Sequence, residues 1–193
     1  TTASSITASS TTGAELVSTV MDTPVGPITI VASARGVRAI LWPDDDSDDV
    51  GGRVPISAAP PDPDHPVIVA TVAQLGEYFA GDREEFDLPL DPVGTDFQQS
   101  AWMALRTIPY GTTVSYGEQA ARMGDRRKAR AVGAANGRNP ISIVVPCHRV
   151  VGSNGALTGF AGGIDTKAWL LDHEQRHTVP GLVWRFVRRP TVL

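Results

Sequence analysis

Three apolar runs near the start of this 193-residue chain leave its first half few ways to fold. Residues 15–21, 27–32 and 37–42 are rich in β-branched side chains, and turn signals at Thr23-Pro24-Val25-Gly26 and Arg35-Gly36 separate them. Parallel strands need a crossover of about a dozen residues, so runs this close must pair antiparallel, as a meander. A helix is expected at 67–79, where Val69, Val72, Leu75, Tyr78 and Phe79 recur at helical spacing and Gly81 stops it. Between sheet and helix lies an acidic stretch, Asp44 to Asp49, that runs into a Pro/Gly/Ala-rich segment. Self-repelling acid and proline predict a mobile loop over 43–66. Calcium binding is rejected there, because the glycine and distal glutamate of an EF-hand loop are missing. Residues 1–13, all Ser, Thr, Ala, Ile and Gly, read as a disordered leader.

After Asp91 the period changes from two to 3.6, so the chain divides into a domain over 14–91 and another over 94–193. Thr95-Asp96 is a helix start, followed by Phe97, Ala101, Trp102 and Leu105 on one face. Ser115 with Glu118 makes a capping box for a helix from 116 to 123. Gly124 turns the chain, and Asp125 caps a further helix from 126 to 136. Two short helices across a tight glycine turn form a helix-turn-helix pattern. The second carries Arg126, Arg127, Lys128 and Arg130, with small residues Ala129, Ala131, Gly133 and Ala134 beside them. A last helix is expected from 166 to 174, and a closing strand at 183–187.

The formal charge of −4 hides an asymmetry. Residues 1–94 hold four Lys/Arg against fifteen Asp/Glu, a net −11, whereas residues 95–193 hold thirteen against six, a net +7. Only the second half is suited to a polyanion, by counterion release along a phosphate backbone. Hydrophobic content of 41% with 20% charged residues is that of a globular chain, and no apolar run approaches a bilayer span.

The only cysteine, Cys147, lies in Ile143-Val144-Val145-Pro146-Cys147-His148-Arg149-Val150-Val151. The β-branched run predicts a buried strand that Pro146 terminates, which sets Cys147 at a strand-to-turn junction beside an imidazole. One cysteine excludes an internal disulfide and any Cys-rich zinc site. A thiol that matters as a free thiol suits a reducing compartment, hence a cytoplasmic protein. An inert buried thiol is the alternative. Downstream, Gly159-Phe160-Ala161-Gly162-Gly163 could wrap a planar ligand, although it is neither a Walker nor a Rossmann fingerprint.

Taken together, Pro146-Cys147-His148-Arg149-Val150, Gly94-Thr95-Asp96-Phe97-Gln98, Ile108-Pro109-Tyr110-Gly111, Ser115-Tyr116-Gly117-Glu118, Ala129-Arg130-Ala131-Val132-Gly133, Asn136-Gly137-Arg138-Asn139-Pro140 and Leu170-Leu171-Asp172-His173-Glu174 resemble the O6-alkylguanine-DNA alkyltransferases. The resemblance runs from Gly94 to Glu174 almost without a gap. It implies an α/β protein, with a small RNase H-like antiparallel sheet plus helix, then a mainly helical domain with a helix-turn-helix. It implies direct-reversal DNA repair, in which Cys147 takes a methyl or small alkyl group from O6 of guanine, and from O4 of thymine, once and irreversibly. His148 would accept the thiol proton and Glu174 would orient the imidazole. Tyr116 would assist base extrusion and donate to guanine N3. Arg130 would enter the stack in place of the flipped base, with Arg126, Arg127, Lys128 and Ala129 along the DNA. Val150, Phe160 and Ala161 would line the base pocket, and Asn139 would act as a hinge. The implied partner is double-stranded DNA carrying O6-alkylguanine, bound in the minor groove by a monomer, with cooperativity left open. No cofactor, metal or membrane is expected.

One position departs from the pattern. Phe160 stands where many relatives carry Tyr, so a hydroxyl near O6 is missing and weaker holding of the flipped base is expected. Two other classes compete with transfer: a damage sensor that binds without repairing, which the presence of Cys147 disfavours, and a cysteine hydrolase, which would turn over repeatedly.

Overall fold

The computed structural model describes residues 15–45 and 59–178. The expected leader over 1–13, positions 46–58 of the acidic loop and the expected strand at 183–187 lie outside them. Strands β1 (Leu16–Met21), β2 (Ile28–Ser33) and β3 (Gly36–Leu41) form the antiparallel meander, in the order β1-β2-β3. Thr19 pairs with Ile30, and Ile30 with Ile40, with a bulge at Val31/Ala32. Helix α1 (Pro66–Ala80) starts on a proline and ends at Gly81, whose φ of 83° is the left-handed conformation glycine adopts without penalty. It lays Ile68, Leu75 and Tyr78 against the core. Each such side chain contributes about 1.5–3 kcal/mol by leaving water.

β3 is an edge strand, yet all six of its residues are buried. Its outer edge is capped by the rest of the chain. Val37 bridges Leu90 on one side, and further along Ile40 bridges Ile141, with the Ile40 N–H donating to Pro140 O at 2.8 Å. Asp91, at the end of the first half, is clamped to the sheet by Ser33 Oγ at 2.6 Å, Arg35 at 2.9 Å and Arg38.

The second half is helical. Helix α2 (Asp96–Leu105) and helix α3 (Tyr116–Arg122) both start with capping boxes: Ser115 with Glu118 as read from the sequence, and Thr95, read only as a helix start, with Gln98. Helix α4 (Ala129–Asn136) follows a 3-10 turn over Arg126–Lys128, so the single helix expected over 126–136 is broken in two. Asp125 accounts for the break: its side chain accepts from Arg127 N, tightening the entry before the α-helical register begins. Helix α3 is tied to α4 by reciprocal amides, Gln119 Nε2 to Asn136 Oδ1 at 3.2 Å and Asn136 Nδ2 to Gln119 Oε1 at 2.7 Å. Trp102 on α2, also buried, donates to Ala135 O on α4 at 2.9 Å. Helix α5 (Gly163–Thr178) extends beyond the predicted 166–174 at both ends.

The strand predicted to lead into Cys147 is absent. Residues 141–145 fold as a turn: Val145 N–H donates to Ile141 O at 2.9 Å, Val144 N–H to Ser142 O at 2.9 Å, and Ile143 has a φ of 71°. Cys147–Arg149 is a 3-10 turn, and only β5 (Val150–Val151) is extended, paired parallel with β4 (Val114–Ser115). The apolar run correctly predicts burial but not conformation, because Pro140 and Pro146 bracket it and β3 offers it a single bridge. Burial alone makes a β-branched run resemble a strand.

Trp102 is the tie between α2 and the basic helix, so removing its indole N–H while keeping an aromatic ring isolates that bond. Trp102→Phe should lower unfolding free energy by about 1–3 kcal/mol in urea titration, because Ala135 O is left buried without its donor.

Candidate active site and nucleic-acid face

The turn that carries Cys147 is held from inside by Asn139. Its Nδ2 donates to Val145 O at 2.7 Å, and its Oδ1 accepts from Ile141 N at 3.1 Å, so one side chain closes both ends of the bend. From outside, Trp42 Nε1 donates to Ser142 Oγ at 3.2 Å. Lys167, fully buried on α5, donates to Val150 O at 2.7 Å and to Thr158 O at 2.8 Å. Cys147 is thereby fixed between the sheet, α5 and the glycine-rich loop.

Glu174 on α5 is the centre of the polar network, with no exposed surface. Its Oε1 accepts from His148 Nε2 at 2.7 Å and from Tyr78 Oη at 3.0 Å. Arg149 grips both oxygens, Nη2 to Oε1 at 2.9 Å and Nε to Oε2 at 2.9 Å, and the Gly111 N–H donates to Oε2 at 3.0 Å. Arg149 also donates to Ile108 O at 2.7 Å and lies over the Tyr110 ring. Burial pushes the Glu174 carboxyl up, but His148 and Arg149 outweigh it and hold it at about 2. Arg149 is charged at any relevant pH, so this ionisation does not require a protonated His148.

That anion fixes the histidine. A carboxylate can only accept, so His148 Nε2 carries the proton and Nδ1 carries the lone pair. His148 is fully buried, and its Nδ1 has no hydrogen-bond partner among the described residues. Burial lowers the pKa of His148, although Glu174 pulls the other way, so the ring is neutral at neutral pH. The Cys147 thiol is raised by burial, against the influence of Asn139 and Lys167. The resting pair is therefore a protonated thiol and a neutral imidazole with an available lone pair.

The basic residues sit on another face. Arg126, Arg127, Lys128 and Arg130 are exposed, and Ala129 is half-buried. Arg126, Ala129 and Arg130 line a surface hollow with Tyr116, Gly133 and Ser153. A Cβ at Gly133 would lie 3.6 Å from the Tyr116 ring, in ordinary van der Waals contact, so α4 packs against the start of α3. Arg127 is bound twice by Asp125, at 2.9 and 3.1 Å, which ties down part of its charge. Tyr116 Oη donates to Thr158 O at 3.3 Å, linking this face to the loop that carries Phe160 and Ala161. Phe160 packs edge-on to Trp42 with ring centres 5.6 Å apart, and to His148 at 6.4 Å, while Val150 is buried behind the turn.

The structure thus brings Cys147, His148 and Glu174 into one buried cluster, with Phe160 against it and the basic residues on an adjoining surface. Sequence reading missed Tyr78, Lys167 and the part of Arg149 that grips the carboxylate. Tyr78 fits a helix face as well as any core aromatic, and Lys167 gives no sign in sequence that its charge is buried. Among the described residues no group of three His, Cys, Asp or Glu could hold a metal ion, and no helix is long and apolar enough to cross a membrane.

Two family models match the chain. Residues 16–92 match the ribonuclease-like domain of 6-O-methylguanine DNA methyltransferase, and residues 96–176 its DNA-binding domain. A methylated-DNA–protein-cysteine methyltransferase of Methanosarcina acetivorans is 42% identical over 158 residues, 80% of this chain and 96% of the relative. Its counterpart in Mycolicibacterium paratuberculosis is 59% identical over 111 residues, 58% of this chain and 67% of the relative. Among solved structures, the Mycobacterium tuberculosis O6-methylguanine methyltransferase superimposes with a TM-score of 0.74 at 42% identity, covering 86% of this chain and 95% of that one. The Mycobacterium tuberculosis OGT in complex with DNA gives 0.73 at 46% identity, covering 82% and 92%. With the match extending over both halves, the chain belongs to the methylated-DNA–protein-cysteine methyltransferases.

Proposed function

We propose that this protein repairs O6-alkylated guanine in double-stranded DNA by moving the alkyl group onto Cys147, in a single irreversible event per molecule. The observation that carries this reading is the buried pair of Glu174 and His148, the residue directly after Cys147 in the chain: an ionised Glu174 leaves His148 Nδ1 unprotonated and without a hydrogen-bond partner among the described residues. In the proposed step the thiol proton passes to His148. The sulfur bonds to the alkyl carbon as the bond from that carbon to O6 breaks, and the electron pair returns to the purine. Tyr116 supplies a proton to guanine N3, which makes the base a better leaving group. Burial that raises the Cys147 pKa keeps the resting thiol protonated, so the step needs a base to take its proton. The product is a thioether, and with no hydrolytic step to remove it the protein is self-inactivated.

The division of labour follows the chain. Residues 14–91 form the supporting α/β domain, and 94–193 the DNA-binding and transfer domain. The basic hollow at Tyr116, Arg126 and Arg130 is suited to phosphates and to replacing an extruded base, since unstacking costs a few kcal/mol that inserted groups must offset. Ala129 and Gly133 allow the close approach that minor-groove entry requires, with Asn139 as the hinge between this element and the Cys147 turn. Val150, Phe160 and Ala161 hold the base, and O4 of thymine presents similar chemistry. The proposed working form is a monomer in the cytoplasm, where a free thiol stays reduced.

Incubation with duplex DNA carrying radiolabelled O6-methylguanine should place label on the protein up to one per chain and no further. Cys147→Ser should take none while retaining DNA binding. Label that is continuously released would identify a hydrolase, and tight binding without label a sensor; either would overturn the proposal. Arg130→Ala should slow transfer from duplex DNA much more than transfer from free O6-alkylguanine, and equal slowing on both would remove its role in extrusion.

Glu174 also links the site to acid stability. Its carboxyl titrates at about 2 in the fold against an ordinary 4.5, so the unfolded chain takes up that proton first. The stabilisation is complete above the ordinary value and is lost as pH falls through that window. Thermal melting followed downward from neutral pH should decline more steeply for the native protein than for Glu174→Gln, which starts lower and lacks this titration. Parallel curves would show that Glu174 is not the linked group.

A further inference from the structure

Tyr78 belongs to α1, far in sequence from the cysteine, yet its hydroxyl reaches the reacting cluster. Tyr78 Oη donates to Glu174 Oε1 at 3.0 Å, the same oxygen that accepts His148 Nε2 at 2.7 Å. The tyrosine is fully buried, and its ring is packed by Phe79, Phe86, Tyr110 and His173. That packing would be met as well by phenylalanine, so it accounts for the ring and leaves the hydroxyl unexplained. Burial, reinforced by the neighbouring Glu174, pushes the Tyr78 phenol well above its ordinary value, so it remains a donor throughout.

We propose that Tyr78 is a positioning residue for alkyl transfer, supplied by the N-terminal half, whose hydroxyl shares Glu174 Oε1 with His148 and so sets the orientation and the basicity of the imidazole. The inference rests on the Cys147-His148-Glu174 reading above. Tyr78, His148 and Arg149 Nη2 all donate to this oxygen and divide its electron density. Without the hydroxyl, Oε1 bonds His148 more strongly, the imidazolium is favoured, and the ring gives up its proton only at higher pH. The carboxylate also loses its one anchor from α1, which loosens the angle at which it holds the ring. The other charged or titratable groups facing this pair are Arg149 and Cys147 from the active-site turn, Tyr110 from the loop before β4, and Lys167 and His173 from α5 itself. Gly111 N–H and Arg149 still grip the carboxylate when Tyr78 is altered, so the cluster survives with one donor fewer.

The test is single-turnover transfer of label from O6-methylguanine DNA to the full chain, measured from roughly pH 5 to pH 9, around the usual histidine range. Tyr78→Phe should slow the plateau rate about tenfold, the scale of one hydrogen bond to a charged group, and should move the acid limb to higher pH. Leu75→Ala serves as the control. It lies one turn earlier on the same helix, is fully buried and makes no hydrogen bond to Glu174, so it loosens α1 without touching the carboxylate. It should lower the melting temperature and leave the acid limb in place. A Tyr78→Phe profile that superimposes on the native one overturns the inference, as does a Leu75→Ala profile shifted in the same way. Absence of label on the native protein overturns the Cys147 reading and this inference with it, whereas normal native labelling with an unchanged Tyr78→Phe profile overturns this inference alone.

Discussion

A buried carboxylate that cannot give up its charge organises this molecule. Glu174 is removed from water at a cost of several kcal/mol and is stable there only because Arg149, His148, Tyr78 and the Gly111 amide all donate to it. Those donors come from the 3-10 turn after Pro146, from α1 and from the loop before β4. To satisfy one anion, three separate parts of the chain must be brought together and held in register. The tautomer of His148 follows from that requirement.

The same burial bears on the thiol of Cys147. Burial raises the Cys147 pKa, which would make a poor nucleophile in isolation. In the proposed reaction the imidazole of His148 would offset this by taking the thiol proton as a substrate takes the sulfur lone pair. Outside that event the thiol is protonated and only 9% exposed, a poor target for solvent oxidants.

Much of this was legible in the sequence, and for identifiable reasons. The meander, α1, the Thr95 cap and the Ser115–Glu118 capping box rest on local chemistry, so Thr95, Ser115 and Gly81 announce their elements. Cys147, His148 and Glu174 were recognisable through motifs, not through spacing: 26 positions separate His148 from Glu174, and nothing local says that they touch. The turn over 141–145 was misread as a strand because its conformation is imposed by Asn139, two prolines and the edge of β3, all of them contextual. Lys167 and Tyr78 escaped for the same reason. A buried lysine and a core tyrosine look ordinary until their partners, a pair of backbone carbonyls and a distant carboxylate, are in place.

The bridge from Ile40 to Ile141, with Ile40 N–H bound to Pro140 O at 2.8 Å, has a bearing on how such chains can change over time. The free edge of the acidic half is used up on the backbone a few residues ahead of Cys147. A backbone bond is indifferent to side-chain identity, so the outer faces of the first half can drift widely in sequence without disturbing the turn. A shift of β3 by a single residue would not be tolerated, because it would present the wrong face of the strand to that segment. Insertions in the first half should accordingly be absorbed in the long loop between β3 and α1, upstream of the helix that carries Tyr78, and not in the hairpins. The length of the strands is constrained by the chemistry of the other half, while their composition is left free.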